Sequence, residues 1–257
     1  MLYSIQAYIK FLKASTNQHG VHSPFVYDLV TKCFYDKSKY NEYSILKQYR
    51  QSLYQNFNRI TISDFGSGSR VFKSNERVIT KMAKTSGISS KRAKLLFRMV
   101  SYFNSKSILE LGTSLGLASS ALSLGNKQAS ITTIEGCQES AKIANEQFRT
   151  FQLNNIQVIV NTFEKALPEL ASVSYDFIYI DGNHTKQGTL HHFEMLLPNA
   201  NNDSVFIFDD IHWSKGMTEA WDEIKNHPAV TVSLDTFYWG IVFFRKEQAK
   251  EHFVIRV

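Results

Sequence analysis

From Ile108 onward, short apolar runs alternate with longer amphipathic segments. The runs are rich in β-branched residues, and such an alternation predicts a parallel sheet covered by helices. The predicted strands are residues 107–111, 130–134, 157–160, 176–180 and 205–208. The predicted helices between and after them are residues 117–124, 138–151, 164–171, 186–197 and 215–226. This pattern restricts the fold to the α/β class.

Two further apolar runs follow the last predicted helix, at residues 230–236 and 240–245. The few residues between them allow only a hairpin, because a parallel connection needs a crossover of a dozen residues or more. The sequence therefore predicts a seven-stranded, mostly parallel sheet that ends in an antiparallel hairpin.

The first part of the chain has a different character. Residues 1–106 contain mostly helical patterns with aromatic residues and lysines, interrupted by turn signals at residues 19–24 and 64–69. We expect residues 1–106 to form a helical, basic cap or lid and residues 107–257 to form the α/β domain. Ile5, Ile9 and Leu12 share one helical face. This face would lie on a membrane surface or pack against the body or a second subunit, and we favour packing.

Charge is distributed unevenly along the chain. Residues 1–107 hold 18 basic and 5 acidic residues, whereas residues 108–257 hold 11 basic and 18 acidic ones. Such asymmetry arises from an anionic partner such as nucleic acid, from an anionic lipid surface, or from a basic segment that folds against an acidic body.

Composition excludes several classes of protein. With 43% hydrophobic residues, 20% charged residues and two cysteines, the chain is neither disordered nor a disulfide scaffold. No apolar run is long enough to span a membrane, and the first residues alternate apolar with polar side chains, unlike a secretory signal. We therefore expect a globular, cytoplasmic protein.

The segment ILELGTSLGLAS, residues 108–119, joins the first predicted strand to a helix through a glycine-containing turn. Glu110 lies near the end of the strand, and Gly112, Thr113 and Gly116 form the turn. A glycine lets the backbone approach a ligand closely, and amides at a helix start attract negative groups. The spacing lacks the Gly-x-Gly that a nicotinamide dinucleotide site requires, so a nicotinamide oxidoreductase is excluded.

Other polar residues stand at the ends of later predicted strands. Glu135 closes the second strand, where its carboxylate could accept hydrogen bonds from ribose hydroxyls. The remaining ones lie in YDFIYIDGNH and VFIFDDIHW: Asp181, His184, Asp209, Asp210, His212 and Trp213. Because ligands bind beyond the carboxyl ends of parallel strands, we expect these side chains to converge on one edge of the sheet.

These motifs together resemble the Rossmann-like class I S-adenosylmethionine-dependent methyltransferases, and their order is similar to that of the catechol-type small-molecule O-methyltransferases. The resemblance covers residues 108–245. It implies that Glu110, Gly112, Thr113 and Gly116 surround the methionine part of the cofactor and that Glu135 holds the ribose. It also implies that Thr162 or Phe163 lies near the adenine and that Asp181 faces the reacting methyl group.

The catechol-type relatives use a metal ion held by two Asp and one Asn, with a Lys three residues after the first Asp. The matching residues here are Asp181, Asp209 and Asp210, with His184 in place of the Lys. Three carboxylates suit a divalent cation such as magnesium. Asp in place of Asn adds a negative charge, and His in place of Lys removes a permanent positive charge. The alternative is therefore that Asp209 and Asp210 are structural. Asp181 and His184 are the candidate bases for removing a proton from the acceptor.

Two segments have open interpretations. HGVHSPF, residues 19–25, is interpreted as a turn that folds over the cofactor, with His22 or Ser23 as secondary ligand contacts. His212 and Trp213 line the acceptor pocket or pack at the sheet edge.

The leading hypothesis is an enzyme that transfers a methyl group from S-adenosylmethionine to an oxygen or nitrogen of a small molecule, with a homodimer as an option. The alternative is a nucleic-acid-binding protein or RNA methyltransferase that uses the basic N-terminal half, although no known RNA-binding module is recognisable in the sequence.

Overall fold

The computed structural model describes residues 2–63, 74–170 and 172–257. The chain forms two compact units. We call residues 37–166 the central unit, and residues 1–36 together with 167–257 the terminal unit.

Ten α-helices are present in the described residues. They are α1 (Leu2–Ala14), α2 (Pro24–Leu29), α3 (Glu42–Tyr54), α4 (Ile79–Thr85), α5 (Ser90–Phe103), α6 (Leu117–Gly125), α7 (Gln138–Thr150), α8 (Phe163–Leu170), α9 (Lys186–Leu196) and α10 (Lys215–Asn226). α2 continues into a π-helical turn, Val30–Phe34. Side chains of Ser and Thr cap several of these helices; Ser89 accepts a hydrogen bond from the Arg92 amide at the start of α5.

The central unit contains two sets of strands. A short antiparallel hairpin pairs β1 (Arg59–Thr61) with β2 (Glu76–Val78). The parallel set has β4 (Ser130–Glu135) between β3 (Ser107–Leu111) and β5 (Ile156–Val160). In this register Leu111 faces Ile134, so the carboxyl ends of β3 and β4 lie side by side. This alignment places the turn after β3 next to Glu135.

The terminal unit contains the other five sheet strands. They are β6 (Phe177–Ile180), β7 (Val205–Asp209), β8 (Val232–Asp235), β9 (Trp239–Phe243) and β10 (Glu251–Val254). β6 is parallel to β7, β9 is antiparallel to both β7 and β8, and β10 is parallel to β8. β7 and β8 therefore run in the same direction, and their carboxyl ends lie at one edge. Every residue of β6, β7 and β9 is buried, as expected for strands covered on both faces.

The predicted α/β class and the mostly parallel sheet are confirmed, and each predicted strand and helix is present within a few residues. The predicted number of strands is wrong, because the sheet has eight strands in the described residues. The additional strand, β10, follows the hairpin and pairs with β8, so the hairpin does not end the sheet. The β1–β2 hairpin was also not predicted. The predicted turn at 64–69 lies outside the described residues.

The predicted boundary at residue 106 stays a prediction, and residues 1–106 are mostly helical as expected. No helix in the described part of the chain is both long enough and apolar enough to cross a bilayer.

The end of the HGVHSPF segment packs within the terminal unit. Ser23 caps α2, and the ring of Phe25 packs edge-on against Phe243 at a centroid distance of 5.0 Å. Phe243 pairs with Val205, the first residue of β7, so Phe25 lies at the amino end of β7, the edge opposite Asp209. The predicted position of the segment over the cofactor stays a prediction.

Candidate active site

The turn after β3 has an unusual backbone conformation. Gly112 and Gly116 have φ angles of 103° and 75°, and Ser114, between them, has a φ of 49°. The Gly112 amide donates to the Ile134 carbonyl at 3.0 Å, which fixes the turn to β4. A side chain at φ near +100° would be strained, so the conformation of this turn favours glycine at position 112.

Gly116 has a packing role that the sequence did not reveal. A Cβ atom built on it would collide with the Tyr49 hydroxyl and with the ring of Phe148. The Tyr49 hydroxyl donates to the Leu115 carbonyl at 2.9 Å. α3 therefore supports the turn from behind, and only glycine leaves enough room for this contact.

Glu110 is fully buried below the turn. Its Oε2 accepts hydrogen bonds from the hydroxyls of Ser119 and of Thr133, the latter at 2.6 Å. The Thr133 hydroxyl also lies 2.6 Å from the Thr113 hydroxyl. The side chains of Glu110 and Thr113 thus join the turn, β4 and α6 from the inside.

Glu135 connects the ends of β3 and β4. Its Oε2 accepts a hydrogen bond from the Ser114 amide at 2.7 Å, and its Oε1 accepts one from the Cys137 amide at 2.8 Å. Burial raises the pKa of Glu135, whereas the two backbone hydrogen bonds lower it. Each carboxylate oxygen can accept a further hydrogen bond, so the residue retains the capacity to bind two ribose hydroxyls.

Thr162 and Phe163 follow β5. The Asn161 amide donates to the Glu135 carbonyl at 3.1 Å, and the Thr162 amide donates to the Asn161 side chain at 3.0 Å. Both Thr162 and Phe163 are partly exposed where α8 begins. The central unit thus brings the turn and Glu135 together and places Asn161 next to Glu135.

Three aspartates occupy the carboxyl edge of β6 and β7 in the terminal unit. Tyr179 links two of them: its hydroxyl lies 3.0 Å from Asp209 Oδ2 and 3.4 Å from Asp181 Oδ2. Asp209 is almost completely buried, whereas Asp181 is partly exposed. Asp210 has a φ of 54°, and its amide donates to Asp209 Oδ1 at 2.9 Å.

His184 lies beside this acidic group. Its Nε2 is 3.4 Å from Asp181 Oδ1, and both side chains are 23% exposed. Burial lowers the pKa of His184, but the hydrogen bond to Asp181 and the charges of Asp181, Asp210 and Asp209 together raise it to about 9. His184 is therefore a cation at neutral pH. It thus carries the same charge as the Lys that the catechol-type relatives have at this position.

The predicted metal ligands do not form a metal-binding group. Within the described residues, no three His, Cys, Asp or Glu side chains are arranged to hold a metal ion. The Asp209 carboxylate instead accepts hydrogen bonds from Tyr179 and from the Asp210 amide. A metal site at Asp181, Asp209 and Asp210 is therefore not shown in the described residues, and the divalent cation stays a prediction.

A cavity of about 230 Å³ lies in the terminal unit between α1 and the carboxyl end of β8. Its wall includes Phe11 of α1 together with His212, Thr218 and Asp235. His212 Nε2 is 2.8 Å from Asp235 Oδ2, and its Nδ1 is 3.0 Å from the Thr218 hydroxyl. His212 therefore lines a cavity, as one interpretation of the sequence proposed. The Trp213 amide donates to the Asp210 carbonyl at 2.8 Å.

Sequence reasoning missed three residues of these clusters. Tyr179 is inside a continuous apolar run and looks like a core residue in the sequence. Asp235 ends β8, as Glu135 ends β4, and the rule that polar residues at strand ends are candidate site residues could have identified it. Tyr49 lies in a helical segment without any motif, and no local signal connects it to the turn.

Comparison with known proteins shows which domain and which folds this chain resembles. Residues 109–211 match the family model described as a methyltransferase domain. No curated protein matches the sequence. Among solved structures, the SAH-bound methyltransferase PaMTH1 from Podospora anserina has a TM-score of 0.60 at 13% identity, covering 88% of this chain and 98% of that chain.

Two further structures carry the same fold. The O-methyltransferase from Bacillus cereus in complex with SAH has a TM-score of 0.54 at 18% identity, covering 80% of this chain and 92% of its own. The O-methyltransferase TomG from Streptomyces achromogenes, in complex with SAM, has a TM-score of 0.56 at 15% identity, with coverages of 81% and 91%.

The matched domain and the fold agree with the class that the sequence predicted. Residues 109–211 match a methyltransferase domain, and the chain has the Rossmann-like fold of the solved methyltransferases described above. The residues of the two clusters are the basis for a more specific proposal.

Proposed function

We propose that this enzyme transfers a methyl group from S-adenosylmethionine to an oxygen or nitrogen of a small molecule. The observation that carries the proposal is the pairing of Glu135 with the glycine turn, which places carboxylate acceptors beside the backbone of that turn. The O-methyltransferases of the same fold, two of them with SAM or SAH bound, support both the cofactor and a small acceptor.

In this proposal the central unit binds the cofactor. Glu135 accepts hydrogen bonds from the ribose, and Gly112 leaves space for the methionine part. Glu110, Thr113 and Gly116 hold the turn in shape from the inside, and Thr162 and Phe163 contact the adenine. When bound, S-adenosylmethionine supplies an activated methyl group on a positively charged sulfur, so the protein has mainly to position the acceptor and take up its proton.

Asp181 is the proposed base. It is partly exposed, ends its strand, and can accept the proton of an acceptor hydroxyl or amine. Protonated His184, 3.4 Å away, stabilises negative charge that develops on the acceptor oxygen. Of the two predicted bases, the proposal therefore retains Asp181 and gives His184 an electrostatic role.

The acceptor's apolar part is proposed to enter the cavity at His212. β7 and β8 end at the same edge with only β9 between them. At about 4.8 Å per strand, Asp235 lies roughly 10 Å from Asp209 along that edge. The volume of about 230 Å³ suits one ring or a short chain, since pockets for drug-sized ligands are about 300 Å³ or larger.

The test begins with calorimetric titration of the purified protein with S-adenosylmethionine and with its demethylated product. We expect both to bind, and Asp181→Asn to bind them with similar affinity. Methyl transfer to a panel of small phenols and amines should then be lost in Asp181→Asn. Absence of cofactor binding would overturn the proposal, and an active Asp181→Asn enzyme would remove this residue from the mechanism.

The methyl-transfer assay, repeated with magnesium and with a chelator, tests the divalent cation predicted at Asp181, Asp209 and Asp210. Full activity after chelation would show that the two later aspartates are structural. Activity that disappears and returns with magnesium would restore the metal to the mechanism. The homodimer and the cytoplasmic location stay predictions.

A further inference from the structure

The central unit has a strongly basic surface that the proposed reaction does not use. The unit holds 19 basic and 8 acidic residues. Eight of the basic residues lie between Glu76 and Glu110, a stretch without any Asp or Glu. This stretch contains α4 and α5, on which Lys81, Lys84 and Lys91 are exposed. These two helices therefore carry basic residues and no Asp or Glu.

Tyrosines of α3 extend along the same surface. Tyr43 and Tyr54 are 11 residues apart in α3, so they share a face and are about 16 Å apart at 1.5 Å per residue. Lys94 Nζ lies 4.8 Å from the Tyr43 ring centroid, and Lys84 Nζ lies 5.4 Å from that of Tyr54. Cations and aromatic rings thus alternate over this distance.

Phe57 completes the surface. Its side chain is 74% exposed, more than any other large hydrophobic residue in the described part of the chain. The loop that carries it is held against the start of α4, because the Ile79 amide donates to the Asn58 carbonyl at 3.0 Å and the Thr80 amide donates to the Asn56 carbonyl at 2.9 Å. An exposed aromatic residue is therefore held in a loop next to the start of α4, the helix that carries Lys81 and Lys84.

We infer that this basic aromatic surface, formed by Phe57, Tyr54, Lys81, Lys84, Lys91 and Lys94, binds single-stranded nucleic acid, with phosphates on the lysines and a base stacked on Phe57. Proteins that bind single strands combine a basic track with aromatic rings on which bases stack. An acidic protein or an anionic membrane would engage the lysines but has no base to stack on the ring. The inference goes beyond the proposed methyl transfer and is independent of it.

Fluorescence anisotropy with a labelled oligothymidine tests the inference. We expect binding that weakens steeply as salt is added, because bound phosphates release counterions. A duplex of equal length should bind more weakly, since its bases are already stacked on one another. Phe57→Ala should weaken single-strand binding about tenfold, the scale of one base–aromatic stack, and leave duplex binding unchanged. Lys81→Glu combined with Lys91→Glu should weaken both.

Matched controls come from the terminal unit. Tyr238 is 51% exposed and the Lys215 side chain is 82% exposed, so Tyr238→Ala and Lys215→Glu remove a similar ring and a similar charge elsewhere. Both should bind the oligothymidine as the wild type does, and circular dichroism checks that every variant is folded. Absence of binding would overturn the inference. So would equal binding of single strand, duplex and heparin with no effect of Phe57→Ala, since that result would mean general polyanion attraction without stacking.

Discussion

At the scale of single residues, His184 shows how the surroundings set a charge. The ordinary pKa of a histidine side chain is about 6.5. The aspartates around His184 outweigh its burial and raise its pKa to about 9. We expect NMR titration of the imidazole in chelator-treated buffer to give a midpoint near this value. Asp181→Asn should lower the midpoint, because it removes the hydrogen-bond partner and its charge.

The same shift makes a contribution to stability that depends on pH. Because the pKa of His184 is higher in the folded than in the unfolded chain, the stabilisation is fully present below pH about 6.5 and is lost as pH rises through about 9. The wild type should therefore melt at a higher temperature than His184→Gln, and the difference between the two melting temperatures should be largest near pH 6. A difference that stays constant up to pH 10 would contradict the shifted pKa.

At the scale of elements, the junction between β3 and α6 depends on Gly116. Its φ of 75° is costly for a residue with a side chain, and an added Cβ would meet Tyr49 and Phe148. A left-handed conformation costs about 1–2 kcal/mol and overpacking about 1–3 kcal/mol. We expect Gly116→Ala to lower the free energy of unfolding by about 2–4 kcal/mol, measured by urea denaturation.

Gly216 is the matched control for this substitution. It lies in the first turn of α10, and an added Cβ would meet its nearest neighbour, the Lys186 Cβ, at an ordinary 3.5 Å. Gly216→Ala should change stability by less than about 1 kcal/mol and in the favourable direction, because alanine is the better helix former. Equal losses in the two variants would show that the turn does not need its glycine.

At the scale of the whole molecule, the sequence predicts the elements that have a periodic signal. β3, β6 and β7 were found because their apolar runs are continuous, and the residues at their ends follow from the rule for parallel sheets. β10 was missed because it is four residues long and starts with Glu251 and His252. The contacts of Tyr49 with the turn and of Asp235 with His212 join distant parts of the chain, and such contacts leave no local pattern in a single sequence.

Cofactor binding should stabilise the whole fold, since a ligand that binds only the native state adds about 2.7 kcal/mol at a hundredfold excess over its Kd. We expect S-adenosylmethionine to raise the melting temperature of the wild type. Glu135→Gln should show a smaller rise, because an amide accepts fewer hydrogen bonds than a carboxylate and so holds the ribose less well. Burial raises the pKa of Glu135. As the pH is lowered, the cofactor-induced rise in the melting temperature of the wild type should therefore diminish at a higher pH than it would if Glu135 had the ordinary pKa of a glutamate.

The control for this last substitution is Glu139→Gln in the first turn of α7, an exposed carboxylate of the same unit. Its cofactor-induced rise in melting temperature should equal that of the wild type. Differential scanning fluorimetry with and without S-adenosylmethionine measures all three proteins. If Glu135→Gln responds to the cofactor as strongly as Glu139→Gln does, Glu135 does not hold the ribose. Its bonds to Ser114 and Cys137 then serve only to fix the turn to β4.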